Sequence, residues 1–175
     1  ILGTEVTQKG SLVSSEILRF DFSYDKPISD DQLLQIERLV NAQIQANTNV
    51  MVEEMDIDSA VKKGAMALFG EKYGEHVRVL SMGQKTDDVP FSIELCGGLH
   101  VLQTGEIGLF KIISQGGIAA GIRRIEALTG MAAVRYVETG EQILSSIAGD
   151  FKAKREEIQT RITNLNKQNQ ELEKQ

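Results

Sequence analysis

Half of the 16 glycines in this chain fall between Gly97 and Gly130. Between them lie two runs rich in β-branched residues, Phe110-Lys111-Ile112-Ile113-Ser114 and Ile122-Arg123-Arg124-Ile125-Glu126. Glycine supplies the backbone conformations that tight reversals need, so the pattern predicts paired strands joined by short turns. Leu18, Phe20 and Phe22 alternate with Arg19 and Asp21, which predicts a half-buried strand that Pro27 ends. Ahead of it, Lys9-Gly10-Ser11 reads as a turn.

Helical spacing appears in two further places. Ser29, followed by Asp30 and Asp31, predicts the capped start of a helix whose apolar face is Leu33, Ile36, Leu39, Val40 and Ile44. After a short strand near 50–55, Asp58 is expected to cap a second helix carrying Ala60, Val61, Ala65, Met66 and Phe69, with glycine at its end. Val77 and Val79 mark another strand. From Met131 the chain reads as helical, with Phe151, Ile158, Leu165 and Leu172 recurring every seven residues. That seam is one residue wide, and it suits either self-association through the helix or a solvated face. The expected fold class is α+β: antiparallel sheets packed by two helices, then a long C-terminal helix. The expected division is 1–130 and 131–175.

Composition narrows the function classes. Nineteen basic against 25 acidic residues give a net charge of −6, which disfavours general polyanion binding and DNA. Six Phe, three Tyr and no Trp argue against a stacking platform for single strands. No apolar run is long enough to span a membrane, and no leader pattern opens the chain. One cysteine fits a reducing compartment, with a cytoplasmic location expected. The chain starts at Ile1 rather than Met, which suggests a trimmed piece of a longer protein.

Three clusters could carry chemistry. Cys96-Gly97-Gly98-Leu99-His100 places a thiol and an imidazole with three residues between them, two of them glycine. The pair could ligate a metal beside a strand-turn element or act as nucleophile and base; an inert cysteine beside a surface histidine fits equally. One cysteine and two histidines cannot close a four-ligand zinc site of sulfur and nitrogen alone. His76 reads as a solvent-facing residue at a strand end. Arg123 and Arg124 follow Gly116-Gly117 and Gly121, and arginine's fork suits phosphate. Alternation lets only one of the two face a given side, and a strand ion pair with Glu126 is the simpler reading. Finally, 64–74 lacks the Lys-Ser/Thr pair of a phosphate loop and reads as core helix.

The segments 6–13, 18–22, 64–74, 94–101, 104–112 and 116–130 resemble, in order, the editing region of alanyl-tRNA synthetases. The resemblance covers roughly residues 2–130. Among its motifs are Glu94-Leu95-Cys96-Gly97-Gly98-Leu99-His100-Val101 and Gly121-Ile122-Arg123-Arg124-Ile125-Glu126. The tail is similar to the start of the linker toward the synthetase C-terminal domain. Free-standing alanyl-editing proteins and the threonyl-tRNA synthetase editing domain match less closely.

The resemblance implies hydrolysis of seryl- and glycyl-tRNA(Ala), with tRNA(Ala) as partner. A pocket for alanine discriminates only ~10²-fold against such close analogues, so a second site must remove the wrong ester. It also implies zinc, with Cys96 and His100 as two ligands and a His-x-x-x-His motif upstream of the matched region as the other two. Gln8 matches a glutamine of the editing pocket. Arg123, Arg124 and Leu99 are candidate substrate contacts, with Leu99 standing where the family usually has Thr and Gln115 where Glu is usual. ATP and magnesium would belong only to an aminoacylation core outside this sequence. The rival readings are a free-standing trans-editing protein and an inert structural or dimerisation segment with half its zinc site missing.

Overall fold

A computed structural model describes residues 1–66 and 74–173. Two antiparallel sheets form the first compact unit, residues 1–133. One sheet contains β1 (Gln8–Val13), β2 (Leu18–Ser23), β6 (Phe110–Ala119) and β7 (Ile122–Thr129), in the order β1-β2-β7-β6. The other contains β3 (Met51–Asp56), β4 (His76–Met82) and β5 (Ser92–Leu95) in sequence order. The α+β class with helix-packed antiparallel sheets is therefore observed.

The alternation in β2 does what its period requires. Phe22 is buried with Ile28 and Ile125, and Phe20 packs against the same cluster. Asp21 faces the other way, and the β2–β7 register sets it opposite Arg124. Arg124 donates to both carboxylate oxygens, Nε to Oδ1 at 2.7 Å and Nη2 to Oδ2 at 2.8 Å. The expected partner, Glu126, instead accepts from Ser114 Oγ at 2.6 Å. The antiparallel register decides this, because it puts an acid directly across from Arg124, whereas Glu126 lies two residues along the same strand.

The Arg124 hydrogen bonds hold the Asp21 carboxyl below its ordinary range, against the opposing effect of burial, and Arg19 adds to the shift. A depressed carboxylate pKa stabilises the fold above the unfolded value, and that contribution is lost as pH falls through the folded value. Asp21→Asn should therefore lower the urea midpoint at pH 7, and the gap from the parent should narrow below about pH 4. An equal gap at pH 7 and pH 3 would show that the ion pair is not its source.

Helix α1 (Asp30–Gln45) starts as expected, with a capping box between Ser29 and Gln32. It also closes the open edge of β6. Asn41 donates to the Phe110 carbonyl at 2.8 Å and accepts from the Phe110 N–H at 2.9 Å, while Glu37 accepts from the Ile112 N–H at 3.0 Å. Side chains thus replace the missing neighbour strand. Ile44 packs with Phe110 and Ala127 beneath.

Three local expectations are corrected. Lys9-Gly10-Ser11 is a bulged stretch of β1 rather than a turn. The reversal comes at Ser14, whose hydroxyl accepts from the N–H groups of Glu16 and Ile17. The second helix, α2, spans only Ile57–Lys62, and its cap is Asp56, which accepts from the Ser59 N–H at 2.9 Å. Gly64, at φ 87°, ends it, with Gly64 N–H donating to Val61 O and Ala65 N–H to Ala60 O. Met66 then bridges to Glu94 rather than continuing the helix. Phe69 and the rest of 67–73 lie outside the described residues. Ala60 packs with Val77, Val79, Ile93 and Leu95 under the second sheet.

The tail is two helices, α3 (Gly130–Asp150) and α4 (Ile158–Leu172). Lys152, at φ 46°, ends α3, with its N–H on Gly149 O and the Ala153 N–H on Ala148 O. The heptad residues therefore do not share one helix: Phe151 lies in the break, Ile158 is buried, and Leu165 and Leu172 are exposed. Arg155 ties α4's entry to Glu141 and Ser145 within the second unit, residues 134–175. Among the described residues no helix is long and apolar enough to cross a membrane.

Candidate functional site

Strand β5 ends at Leu95, and the chain leaves it through Cys96-Gly97-Gly98-Leu99-His100. Cys96 N–H still donates to Arg78 O on the neighbouring β4, at 3.2 Å. Beyond it the backbone turns, and the side chains on either side of Gly98 face the space where that residue has none. A Cβ built on Gly98 would lie 3.6 Å from Cys96 Sγ and 3.8 Å from His100 Nε2. The sulfur and the ring nitrogen thus converge on one small gap.

His100 Nε2 is buried and has no hydrogen-bond partner among the described residues. Burial pushes the imidazole below the ordinary histidine range, the Arg78 charge adds to that, and Glu94 opposes it. At neutral pH the ring is therefore uncharged, the form that can donate a lone pair. A thiol and a neutral imidazole aimed at a common gap fit a borderline-soft cation such as zinc. Among the described residues no group of three or more His, Cys, Asp and Glu could hold a metal ion.

The pair lies on the wall of a cavity of about 640 Å³. The β1–β2 turn, from Val13 to Leu18, forms another wall, and Met82, Val101 and Ile107 make much of the rest apolar. Leu99 lies at this cavity with its side chain fully exposed. The other expected contacts are elsewhere. Gln8 Nε2 donates to Ser11 Oγ at 3.2 Å on β1. Arg123 Nη2 donates to Gln115 Oε1 at 2.5 Å, and Arg124 is engaged by Asp21. None of the three is among the described residues lining the cavity. His76 is exposed at the start of β4, opposite Asp56.

Sequence reasoning missed Arg78. Its Nη1 donates to the carbonyls of Cys96, at 3.2 Å, and Gly98, at 2.5 Å. Alternation with Val77 and Val79 marks it as facing away from the core, but no spacing rule links it to a loop about twenty residues on.

Comparison with known proteins covers this loop. The family described as "Threonyl and Alanyl tRNA synthetase second additional domain" matches residues 77–126, which span β4, β5, the Cys96–His100 loop and β6. Over its whole length the chain is 60% identical to an alanine--tRNA ligase of Psychrobacter cryohalolentis, 55% to one of Hydrogenovibrio crunogenus and 54% to one of Pseudomonas savastanoi pv. phaseolicola. In each case it spans 20% of the relative's length. Whole-chain identity at this level, joined to the second-additional-domain match, makes the chain similar to one stretch of alanine--tRNA ligases, 20% of their length, that includes that domain.

Proposed function

We propose that this chain is the editing portion of an alanine--tRNA ligase and serves the hydrolysis of seryl- and glycyl-tRNA(Ala). The observation that carries the reading is the convergence of Cys96 Sγ and His100 Nε2 over Gly98 at the wall of the cavity. A cavity of about 640 Å³ takes a group of nucleoside size. That matches the end of a tRNA carrying an ester better than a free amino acid. Its walls are apolar at Ile17, Leu18, Met82, Val101 and Ile107, and Ser14, Ser15, Glu16, Glu106 and Thr129 supply polar groups that could orient an ester.

Cys96 and His100 would hold zinc, with further donors from outside the described residues. Zinc in that position would supply polarisation of the ester, or placement or activation of water. His100 contributes a neutral ring, Cys96 contributes sulfur, and Gly98 contributes the room between them. The wider activity of the relatives, with ATP, magnesium and alanine, would belong to the four-fifths of their length that the chain does not span. Full-length coverage inside synthetases favours this reading over a free-standing editing protein.

Deacylation of seryl-tRNA(Ala) tests the proposal. In a synthetase carrying this region, His100→Ala should slow release of serine by about a hundredfold, in line with the loss of a group that directly serves the reacting centre. A His100→Ala enzyme as fast as its parent would remove the pair from the chemistry.

A further inference from the structure

The two donors are only as well placed as the backbone that carries them, and that backbone is poorly held. The stretch 96–101 belongs to no helix or strand, and a side chain built on Gly97 would meet only open space. Among the described residues no hydrogen bond reaches Gly97, Leu99, His100 or Val101, and the one on Gly98 comes from Arg78. We infer that Arg78 is the positioning residue of the site: its guanidinium draws the carbonyls of Cys96 and Gly98 together and so fixes the turn that brings Cys96 Sγ and His100 Nε2 to one gap. The inference rests on the two-donor reading above and extends it.

The geometry suits a positioning role. A single nitrogen, Nη1, donates to both carbonyls, which lie two residues apart. Those two bonds close the loop across Gly97 without using any atom of the donor side chains. The return bond, Cys96 N–H to Arg78 O, registers the loop on the strand that carries the arginine. Arg78 itself is held by β4, whose neighbours Val77 and Val79 are buried in the core beneath. A rigid strand thereby positions a flexible loop through one side chain, the arrangement a ligand pair needs in order to be set before its metal arrives. Both bonds come from one terminal nitrogen, so lysine at this position keeps the kind of donor needed, on a differently shaped stem.

The test uses two readouts. On the 175-residue chain ¹⁵N relaxation gives backbone order parameters for 97–100, and in the chain extended to carry a His-x-x-x-His pair competition with a chromophoric chelator gives zinc affinity. The parent loop should be ordered, near 0.85, and Arg78→Ala should bring Gly98 and Leu99 below about 0.6 while β4 and β5 keep parent values. Zinc affinity should fall about 10- to 100-fold in Arg78→Ala, and Arg78→Lys should recover part of both. Cys96→Ser should lose zinc affinity yet keep the ordered loop. An Arg78→Ala loop as ordered as the parent's, or a parent loop already mobile, overturns the assignment of Arg78. Unchanged zinc affinity in Cys96→Ser overturns the donor pair instead, and the order parameters then judge Arg78 by themselves.

Discussion

This chain alone is expected to deacylate seryl-tRNA(Ala) about a hundred- to a thousandfold more slowly than the same chain extended to carry a His-x-x-x-His pair. It contains two histidines, of which His76 is exposed at the start of β4 and His100 is in the loop. With Cys96 and His100 as the whole donor set, at least two positions of a tetrahedral zinc would fall to water, and affinity would drop accordingly. The chemistry zinc would supply there is worth several kcal/mol, and each 1.36 kcal/mol is about tenfold in rate. The dialysed short chain should retain well under one zinc, and the extended one close to one. Leu99→Thr in the extended protein should shift the preference between seryl- and alanyl-tRNA(Ala) and leave zinc content unchanged, because residue 99 is no ligand and its exposed side chain borders the cavity. Equal rates from the short and extended proteins would show that the upstream histidines are dispensable and that the chemistry lies elsewhere.

Legibility in the sequence followed the range of the interaction. The strand of Leu18, Phe20 and Phe22, the hairpin of β6 and β7 and the Ser29 cap were readable because their causes lie within a few residues of one another. Lys9-Gly10-Ser11 was misread because glycine serves a strand bulge as well as a turn, and only pairing with β2 distinguishes them. Asp56 and Asp58 are both plausible caps by composition. The end of β3 decides between them, by leaving Asp56 extended and its carboxylate aimed at Ser59. The break at Lys152 was hidden because the apolar recurrence runs across it. Asp21 and Arg124 lie 103 residues apart, so no local pattern could pair them.

The site divides along the same line. Spacing alone brought Cys96 and His100 forward but left ligand, nucleophile and inert readings open. Their convergence is set by Arg78 on another strand and by the missing side chain of Gly98. Gln8, Arg123 and Arg124 came from motif resemblance or residue type. In the structure they hydrogen-bond within the first sheet, away from the residues lining the cavity.

Gly108→Ala should be among the most damaging single methyls in the first unit, beside Gly83→Ala, whose Cβ would meet Phe91 Cβ at 2.5 Å, and should cost about 3–5 kcal/mol by two independent routes. Gly108 adopts φ 70°, ψ −157°, a region open to essentially no residue but glycine, and strain of that kind costs about 1–3 kcal/mol. A Cβ there would also stand 2.9 Å from Gly130 Cα and 3.4 Å from Gly130 N. These are backbone atoms, so no side chain can swing aside to make room. The contact cannot open freely either. Gly130 N–H donates to Leu109 O at 2.9 Å, and Phe110 pairs with Thr129 at the adjacent end of the β6–β7 ladder. At about 2–4 °C per kcal/mol for a protein of this size, the melting temperature should fall by roughly 6–20 °C. Gly130→Ala offers a graded control, since it has the left-handed backbone, φ 56°, but only an ordinary 3.6 Å contact with Ile107 O. It should cost about 1–2 kcal/mol. Gly116→Ala, with open space and no positive φ, should cost little. A melting temperature for Gly108→Ala no lower than that of Gly130→Ala would disprove the backbone clash. Ile107 and Thr129, the residues this pinch holds together, also line the cavity beside Cys96 and His100, so in a synthetase Gly108→Ala should impair deacylation even below its melting temperature.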